Sequence, residues 1–430
     1  MEHLKKGKEI PTIAGVPLKI ERYIAGGGQG DVYEVIFNGE KKALKWYKPN
    51  AIKDPDGFYE NLKRNVGKGS PNKAFLWPIT ATQMMDNSFG YVMDLRPEGY
   101  YELADFMLAK TTFKTFKAAT EACIRIVSAF QMLHNKGFCY QDMNDGNFFI
   151  NPKTGDVLIC DNDNVAPNDL STFIMGTPRY MAPEIVMGTS KPNTQTDRYS
   201  LSVILFMLLC MNHPLEGKHW VVPCLTPDIE RALYGERATF IYDPLDNSNC
   251  PVRGVHTNVM KRWQYMPSYM KDAFLKAFSQ DALKNPANRM RELDWLKVLV
   301  RFQSDIVRCQ SCGNEVFIHN ASDTKCDGCG KMLPVINRFK LADYTITAAK
   351  GTRIYRCQLG MCNADNALER IGIVIARTDN PNILGFQNAS IDTIVGITPS
   401  GKQNLVKPGE VVPLKPGIRL EIFNGKIEIQ

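Results

Sequence analysis

Twice in this sequence a pair of cysteines three positions apart is followed by glycine, at Cys309-Gln310-Ser311-Cys312-Gly313 and at Cys326-Asp327-Gly328-Cys329-Gly330. Each knuckle can turn two thiolates toward one ion, and four thiolates suit tetrahedral Zn²⁺ in a closed, structural site. A redox dithiol or plain core cysteines are the competing readings. His319 lies between the knuckles, but four cysteines already complete a ligand set, so it is expected at the surface. A second chemistry is offered near the start, in Ala25-Gly26-Gly27-Gly28-Gln29-Gly30-Asp31-Val32. Backbone amides bare of side chains can approach phosphate oxygens closely. Beyond it, Ala43-Leu44-Lys45 sets a lysine among apolar residues; taken alone, that is a surface side chain snorkelling past its neighbours.

These residues need elements to hold them. Apolar and polar residues alternate from Leu18 to Tyr47, with Asn38-Gly39 as a tight hairpin signal between two runs, which predicts three antiparallel strands with the glycine-rich turn between the first two. Helical spacing follows from Tyr101 to about Asn135, from Thr196 to Met211 and from Ser268 to Gln303. After Tyr344 the texture becomes short β-type runs, Ile371–Arg377, Thr393–Thr398, Val411–Leu414, Ile418–Phe423 and Lys426–Ile429, separated by turns such as Lys407-Pro408-Gly409 and Asn424-Gly425.

The chain has 430 residues, more than the ~250–300 at which single cores stop growing, so two or three domains are expected. A hydrophobic fraction of 44% and a charged fraction of 23% permit a sizeable core. The net charge of +7 is mild and no Lys/Arg run concentrates it, so a nucleic-acid partner is not expected. The start leads into no apolar segment, and the longest apolar run, Val203 to Met211, is far short of the ~18 residues a membrane span needs. A cytoplasmic protein without membrane contact is expected, with its eight scattered cysteines reduced.

Further signals fall in a telling order. Lys45 is followed by Tyr140-Gln141-Asp142-Met143-Asn144-Asp145-Gly146-Asn147, then Ile159-Cys160-Asp161-Asn162-Asp163, then Gly176-Thr177-Pro178-Arg179-Tyr180-Met181-Ala182-Pro183-Glu184. This sequence of a glycine-rich loop, strand lysine, catalytic-loop Asp and Asn, metal-binding Asp and A-P-E resembles the protein kinases from about residue 15 to 305. The resemblance implies an α+β, bilobal fold over residues 1–305, with a β-rich lobe at about 15–95 and a helical lobe at about 96–305. A zinc ribbon over 306–335 and a small all-β sandwich over 336–430 complete the expected architecture.

The resemblance also implies roles. The loop from Ala25 through Gly26, Gly27, Gly28, Gln29 and Gly30 to Val32 would cover the phosphates of ATP, and Ala43 and Met93 would border the adenine, with Asp94 and Leu95 in the hinge. Lys45 would pair with the α and β phosphates and be held in turn by an acid on the first helix, Glu60 being the choice with Asp54 and Asp56 nearby. Asn147 and Asp161 would hold Mg²⁺ (or Mn²⁺), and Asp142 would serve the substrate hydroxyl. Thr177 before Pro178 is similar to the substrate loop of Ser/Thr kinases. Asp197 resembles the Asp that braces the catalytic loop, and Arg289 suits the partner of Glu184.

The pattern is also broken in places. Asn144 replaces the loop lysine, and Asn162 and Asp163 replace the Phe and Gly that usually follow the metal-binding Asp. A pseudokinase scaffold that binds nucleotide without catalysis is therefore the alternative. Gln141 stands where regulated kinases carry an arginine that gathers a phosphorylated residue. With only Ser171 and Thr172 as obvious sites, the segment is expected to settle without a phosphate. The C-terminal β region is faintly similar to forkhead-associated domains through Ile371-Gly372-Ile373-Val374 and Leu384-Gly385-Phe386-Gln387-Asn388-Ala389-Ser390, although Thr393 stands where their His would be. The whole arrangement is similar to bacterial kinases of tellurite-resistance-associated systems. That likeness implies a protein substrate, a metal-dependent phosphatase and a von Willebrand A-type protein as partners.

Overall fold

The computed structural model describes residues 3–168, 170, 176–318, 325–333, 337–360 and 362–430; Ser171, Thr172 and His319 lie outside the described residues. Internal contacts divide the chain into two units, one of residues 1–112, 132–264 and 274–290, the other of residues 113–131, 265–273 and 291–430. The division is not sequential. Segments expected in the helical lobe, 113–131 among them, cluster with the chain after 291.

The first unit opens with an antiparallel sheet ordered β1-β2-β3-β4-β6-β5. Its strands are β1 (Glu9–Ile10), β2 (Leu18–Gly26), β3 (Gly30–Phe37), β4 (Glu40–Tyr47), β5 (Thr80–Ala81) and β6 (Gly90–Met93). The alternation read from Leu18 to Tyr47 gives β2, β3 and β4, and Asn38 and Gly39 turn the β3–β4 hairpin with φ of 51° and 79°. Two positive φ values match the right-handed strand twist, and Asn and Gly tolerate them best.

Helix α1 (Pro55–Lys68) starts on Asp54, whose carboxylate accepts from the Gly57 amide at 3.0 Å. Farther on, α2 spans Phe116–Asn135 and α3 spans Thr194–Cys210. The apolar run that begins at Val203 is the buried heart of α3. A reciprocal capping box between Asn193 and Thr196 begins that helix. No described helix is long and apolar enough to cross a membrane.

In the second unit, α4 (Glu292–Ser304) runs into the hairpin of β7 (Ile306–Arg308) and β8 (Glu315–Phe317), which carries the first cysteine knuckle. Phe116 on α2, Phe302 on α4 and Phe317 on β8 form one aromatic cluster, with ring centroids 5.3 to 5.8 Å apart. Beyond residue 337 the chain forms two antiparallel sheets of six and four strands. Phe339 and Ile346 from the first and Ile371, Val374 and Phe386 from the second share one buried core.

The runs read as strands after Tyr344 are strands, but the turn at Asn424-Gly425 sits one residue earlier. Phe423 and Asn424 take the positive φ values, and Gly425 already pairs with Ile422. The glycine is needed there for a different reason, since a Cβ would lie 2.2 Å from the Leu359 carbonyl oxygen.

Candidate active site

Residues 43, 45 and 47 alternate along β4 and so share a face. Across the ladder to β6, Met93 lies opposite Ala43 and Tyr91 opposite Lys45. Ala43, Met93 and partly buried Val32, Leu95 and Leu158 belong to one apolar cluster that suits a flat ring. Asp94 points its carboxylate outward to Lys42 at 2.8 Å. At the other end of β2 the glycine-rich turn is closed by the Gly27 amide bonding to the Gly30 carbonyl at 2.8 Å. Gly30 is obligatory, because a Cβ would meet the Trp46 carbonyl oxygen at 2.4 Å. Gly28 has open space around it. A ligand's oxygens could therefore approach that backbone without a side chain in the way.

The Lys45 ammonium is buried between two carboxylates, 3.1 Å from Asp161 and 3.0 Å from Asp163. Burial opposes its charge, but the Asp163 and Asp161 charges and hydrogen bonds override that cost and carry its pKa above the ordinary lysine value. Asp161 is shifted upward in turn, chiefly by burial, against the pull of Lys45.

Glu60 is not the partner of Lys45. It is exposed on the outer face of α1 and pairs with Lys63. Helix phase explains this: α1 turns Phe58, Asn61, Leu62 and Asn65 inward, and at ~100° per residue position 60 falls ~200° round from Phe58. The inward polar residues are amides, and Asn61 and Asn65 each donate to the Val165 carbonyl at 2.8 Å. Asn162 donates to the Ile159 carbonyl at 2.9 Å and so closes the turn around Asp161.

The loop from Tyr140 to Asn147 is pinned from α3. Asp197 accepts from the Tyr140 amide at 2.7 Å and faces the His134 ring at 3.0 Å. Within the loop, Asn144 bonds the Asp142 carboxylate at 3.3 Å and receives the Gly146 amide at 2.9 Å. Burial moves the Asp142 carboxyl upward; Asn144 opposes this and the Asp161 charge adds to it. The Asn147 amide nitrogen donates to the Asp142 carbonyl at 2.9 Å, and its oxygen, met by the weak Cys160 thiol donor at 3.9 Å, can still serve as a ligand. Carboxylate and carboxamide oxygens are the donor set a hard divalent cation takes, so Asp161 and Asn147 fit Mg²⁺. Thr177 is exposed and extended just before the turn Pro178–Tyr180. Glu184 and Arg289 form a two-pronged pair at 2.8 and 2.7 Å.

Sequence reasoning named Asp163 only as a break in the pattern and gave no role to Tyr47, Tyr91 or Leu158. Period-two spacing from Lys45 does point to Tyr47, whereas Tyr91 and Asp163 have no local signal and meet the lysine only through strand pairing and chain reversal.

In the second unit the sulfur atoms of Cys309, Cys312, Cys326 and Cys329 all lie within 4.8 Å of one another. The Cys309–Cys329 and Cys312–Cys326 separations are 3.8 and 3.6 Å. Four sulfurs held ~2.3 Å from one tetrahedral ion are ~3.8 Å apart, so the cluster fits Zn²⁺. Ser390 is buried and committed: its hydroxyl donates to Asn388 at 2.7 Å and accepts from the Asp392 amide at 3.2 Å. Internal bonds of this kind hold a turn and leave that hydroxyl little to offer a phosphate.

Residues 18–224 match the family model described as the protein kinase domain. The serine/threonine-protein kinase PknA of Mycobacterium tuberculosis is 27% identical over 210 residues, covering 46% of this chain and 48% of the relative. The probable serine/threonine-protein kinase MARK-C of Dictyostelium discoideum is 31% identical over 221 residues, covering 47% of this chain and 28% of the relative. The chain thus spans about half, or less, of the length of these curated relatives. Among solved structures, the kinase domain of Mycobacterium tuberculosis PknI aligns at 15% identity over 69% of this chain and 98% of its own, with a TM-score of 0.47.

Proposed function

We propose that the chain is a protein kinase that transfers the γ-phosphate of ATP, with Mg²⁺, to Ser or Thr hydroxyls of protein substrates. The observation that carries this reading is the convergence of Lys45, Asp142, Asn147 and Asp161 within a segment that matches the protein kinase domain. Lys45 offers a positive charge to phosphate oxygens, and the bare amides of residues 26–30 cover them. Asn147 and Asp161 would hold Mg²⁺, which neutralises charge on the phosphates when bound. Asp142 accepts the proton of the attacking hydroxyl, oriented by Asn144. Val32, Ala43, Met93 and Leu95 would enclose the adenine, with Asp94 at the hinge, and Thr177 would face the acceptor.

The four cysteines would form a zinc ribbon and the two C-terminal sheets a docking sandwich. A metal-dependent phosphatase and a von Willebrand A-type protein are the proposed signalling partners. The test is to incubate the purified chain with Mg²⁺ and γ-labelled ATP. Label on serine or threonine supports the kinase; nucleotide binding without transfer favours the scaffold.

A further inference from the structure

Asp163 is a buried carboxylate that the proposed reaction does not use. Its side chain is fully enclosed, yet it receives Lys45 at 3.0 Å, the Tyr91 hydroxyl at 3.1 Å and the Tyr47 hydroxyl. Three donors from two adjacent strands thus converge on one acid, which lies two residues beyond Asp161. They do so because β4 and β6 place Lys45, Tyr47 and Tyr91 on one face, the first and last directly opposite each other. An enclosed carboxylate is stable only when its oxygens are hydrogen-bonded and its charge is matched, and here one ammonium and two hydroxyls do both.

The two acids on Lys45 are not equivalent. Asp161 is 35% exposed and can turn an oxygen outward, whereas Asp163 is 0% exposed. Only Asp163 can stay with the lysine while Asp161 serves another ligand. Helix α1 offers no rival acid, for its inward polar residues are Asn61 and Asn65, its Asp56 is exposed and its Glu60 is committed to Lys63.

We propose, on the kinase reading above, that Asp163 is the positioning residue that holds Lys45 for phosphate contact, a duty thereby carried by the segment after Asp161 and not by helix α1. The lysine's aim then does not depend on an ion pair to that helix. Helix α1 reaches the site through the Asn61 and Asn65 bonds to the Val165 carbonyl and through Phe58, whose ring packs edge-on against Tyr47 at 5.3 Å.

The experiment compares wild type with Asp163→Asn and Glu60→Gln in the full chain. Two readouts are taken: steady-state kinetics with ATP and Mg²⁺, and acylation of Lys45 by an N-hydroxysuccinimide ester, quantified by mass spectrometry. Asp163→Asn is expected to lower kcat about a hundredfold while KM for ATP changes less than about fivefold, the signature of lost aim with retained binding. Lys45 acylation should rise about tenfold, because the amine, released from the enclosed Asp163 and left with the part-exposed Asp161, can reach the reagent. Glu60→Gln should leave all three quantities within about twofold, as exposed pairs contribute little. Equal losses from Glu60→Gln, or unchanged Lys45 acylation in Asp163→Asn, overturn the assignment. If Asp163→Asn fails to fold, Tyr91→Phe and Tyr47→Phe keep the acid and remove one donor each. Graded falls in kcat at constant KM support the proposal, and unchanged kcat in both overturns it. Should wild type transfer no phosphate, the kinase reading fails while acylation still decides whether Asp163 holds Lys45.

Discussion

The cleft of the first unit and the cysteine cluster of the second are both small sets of side chains drawn together from distant positions, but they reach electrostatic balance differently. In the cleft, Lys45 meets Asp161 and Asp163 directly, and hydroxyls of Tyr47 and Tyr91 take up the remaining valence of Asp163. That site is largely organised by its own charges, and a nucleotide would enter something already shaped. Around Cys309, Cys312, Cys326 and Cys329 the groups that converge carry the same sign when ionised. Four thiolates within 4.8 Å repel one another unless a cation is shared. One centre is thus preorganised by the chain, while the other would be completed by an ion, so perturbing the two should have different consequences.

The largest effect is expected at the cysteines. Metal analysis should find one zinc per chain, and Cys309→Ser or Cys326→Ser should lose it, with on the order of 10 kcal/mol of apparent binding energy forfeited. If the comparison holds, the second unit melts early in these variants while ADP·Mg²⁺ binding persists. Nucleotide binding lost in step with zinc, measured by calorimetry with Mg²⁺ in excess, would break it. Second in size is Asp142→Asn, expected to slow phosphate transfer about a thousandfold, or ~4 kcal/mol. ADP affinity should change less than about twofold, because in the proposed mechanism this carboxylate would serve the acceptor and not the nucleotide. Near-normal turnover would remove Asp142 from the mechanism.

The pH profile sharpens the same point. In the proposed mechanism Asp142 would act as its ionised form, and burial raises its pKa above the ordinary value of 3.8. Activity should therefore be full above the raised pKa and fall about tenfold per unit below it, with the fall beginning at higher pH than an exposed aspartate would give. A flat kcat/KM profile down to the ordinary aspartate range would contradict that burial.

The smallest effect concerns how the β7–β8 hairpin is used inside the second unit. Glu315 on β8 accepts from the amides of Phe116, the first residue of α2, and Lys117, the latter at 3.1 Å, while Thr115 takes the Ala118 amide at 3.0 Å. The first-turn donors of α2 are satisfied by an acid roughly two hundred positions downstream, the sign of charge a helix N-terminus favours. Glu315→Ala should cost about 1 kcal/mol in urea denaturation. It should also raise amide exchange at Phe116 and Lys117. Unchanged exchange at both amides would show that the cap adds nothing beyond Thr115.

Much of this was legible in the residues themselves. Alternation from Leu18, the Asn38-Gly39 turn, the buried run from Val203 and the paired cysteines are local patterns, and local physics reads them: a strand has a period of two, a tight turn needs positive φ, a knuckle needs two ligands at fixed spacing. The order of Lys45, Asp142, Asn147 and Asp161 likewise follows the chain. What the tertiary structure decided is which groups face one another. The sequence allowed any of several acids near α1 to hold Lys45, and Glu60 was the natural choice by resemblance. Helix phase turned Glu60 outward instead, strand register set Tyr91 opposite Lys45, and the left-handed turn at Asp161, with φ of 53°, lies at the start of the reversal that carries Asp163 back under the lysine. Long-range pairing of this sort depends on the rotation of a helix and the register of a ladder. Both are set by the packing of the whole unit, which no single stretch of sequence encodes.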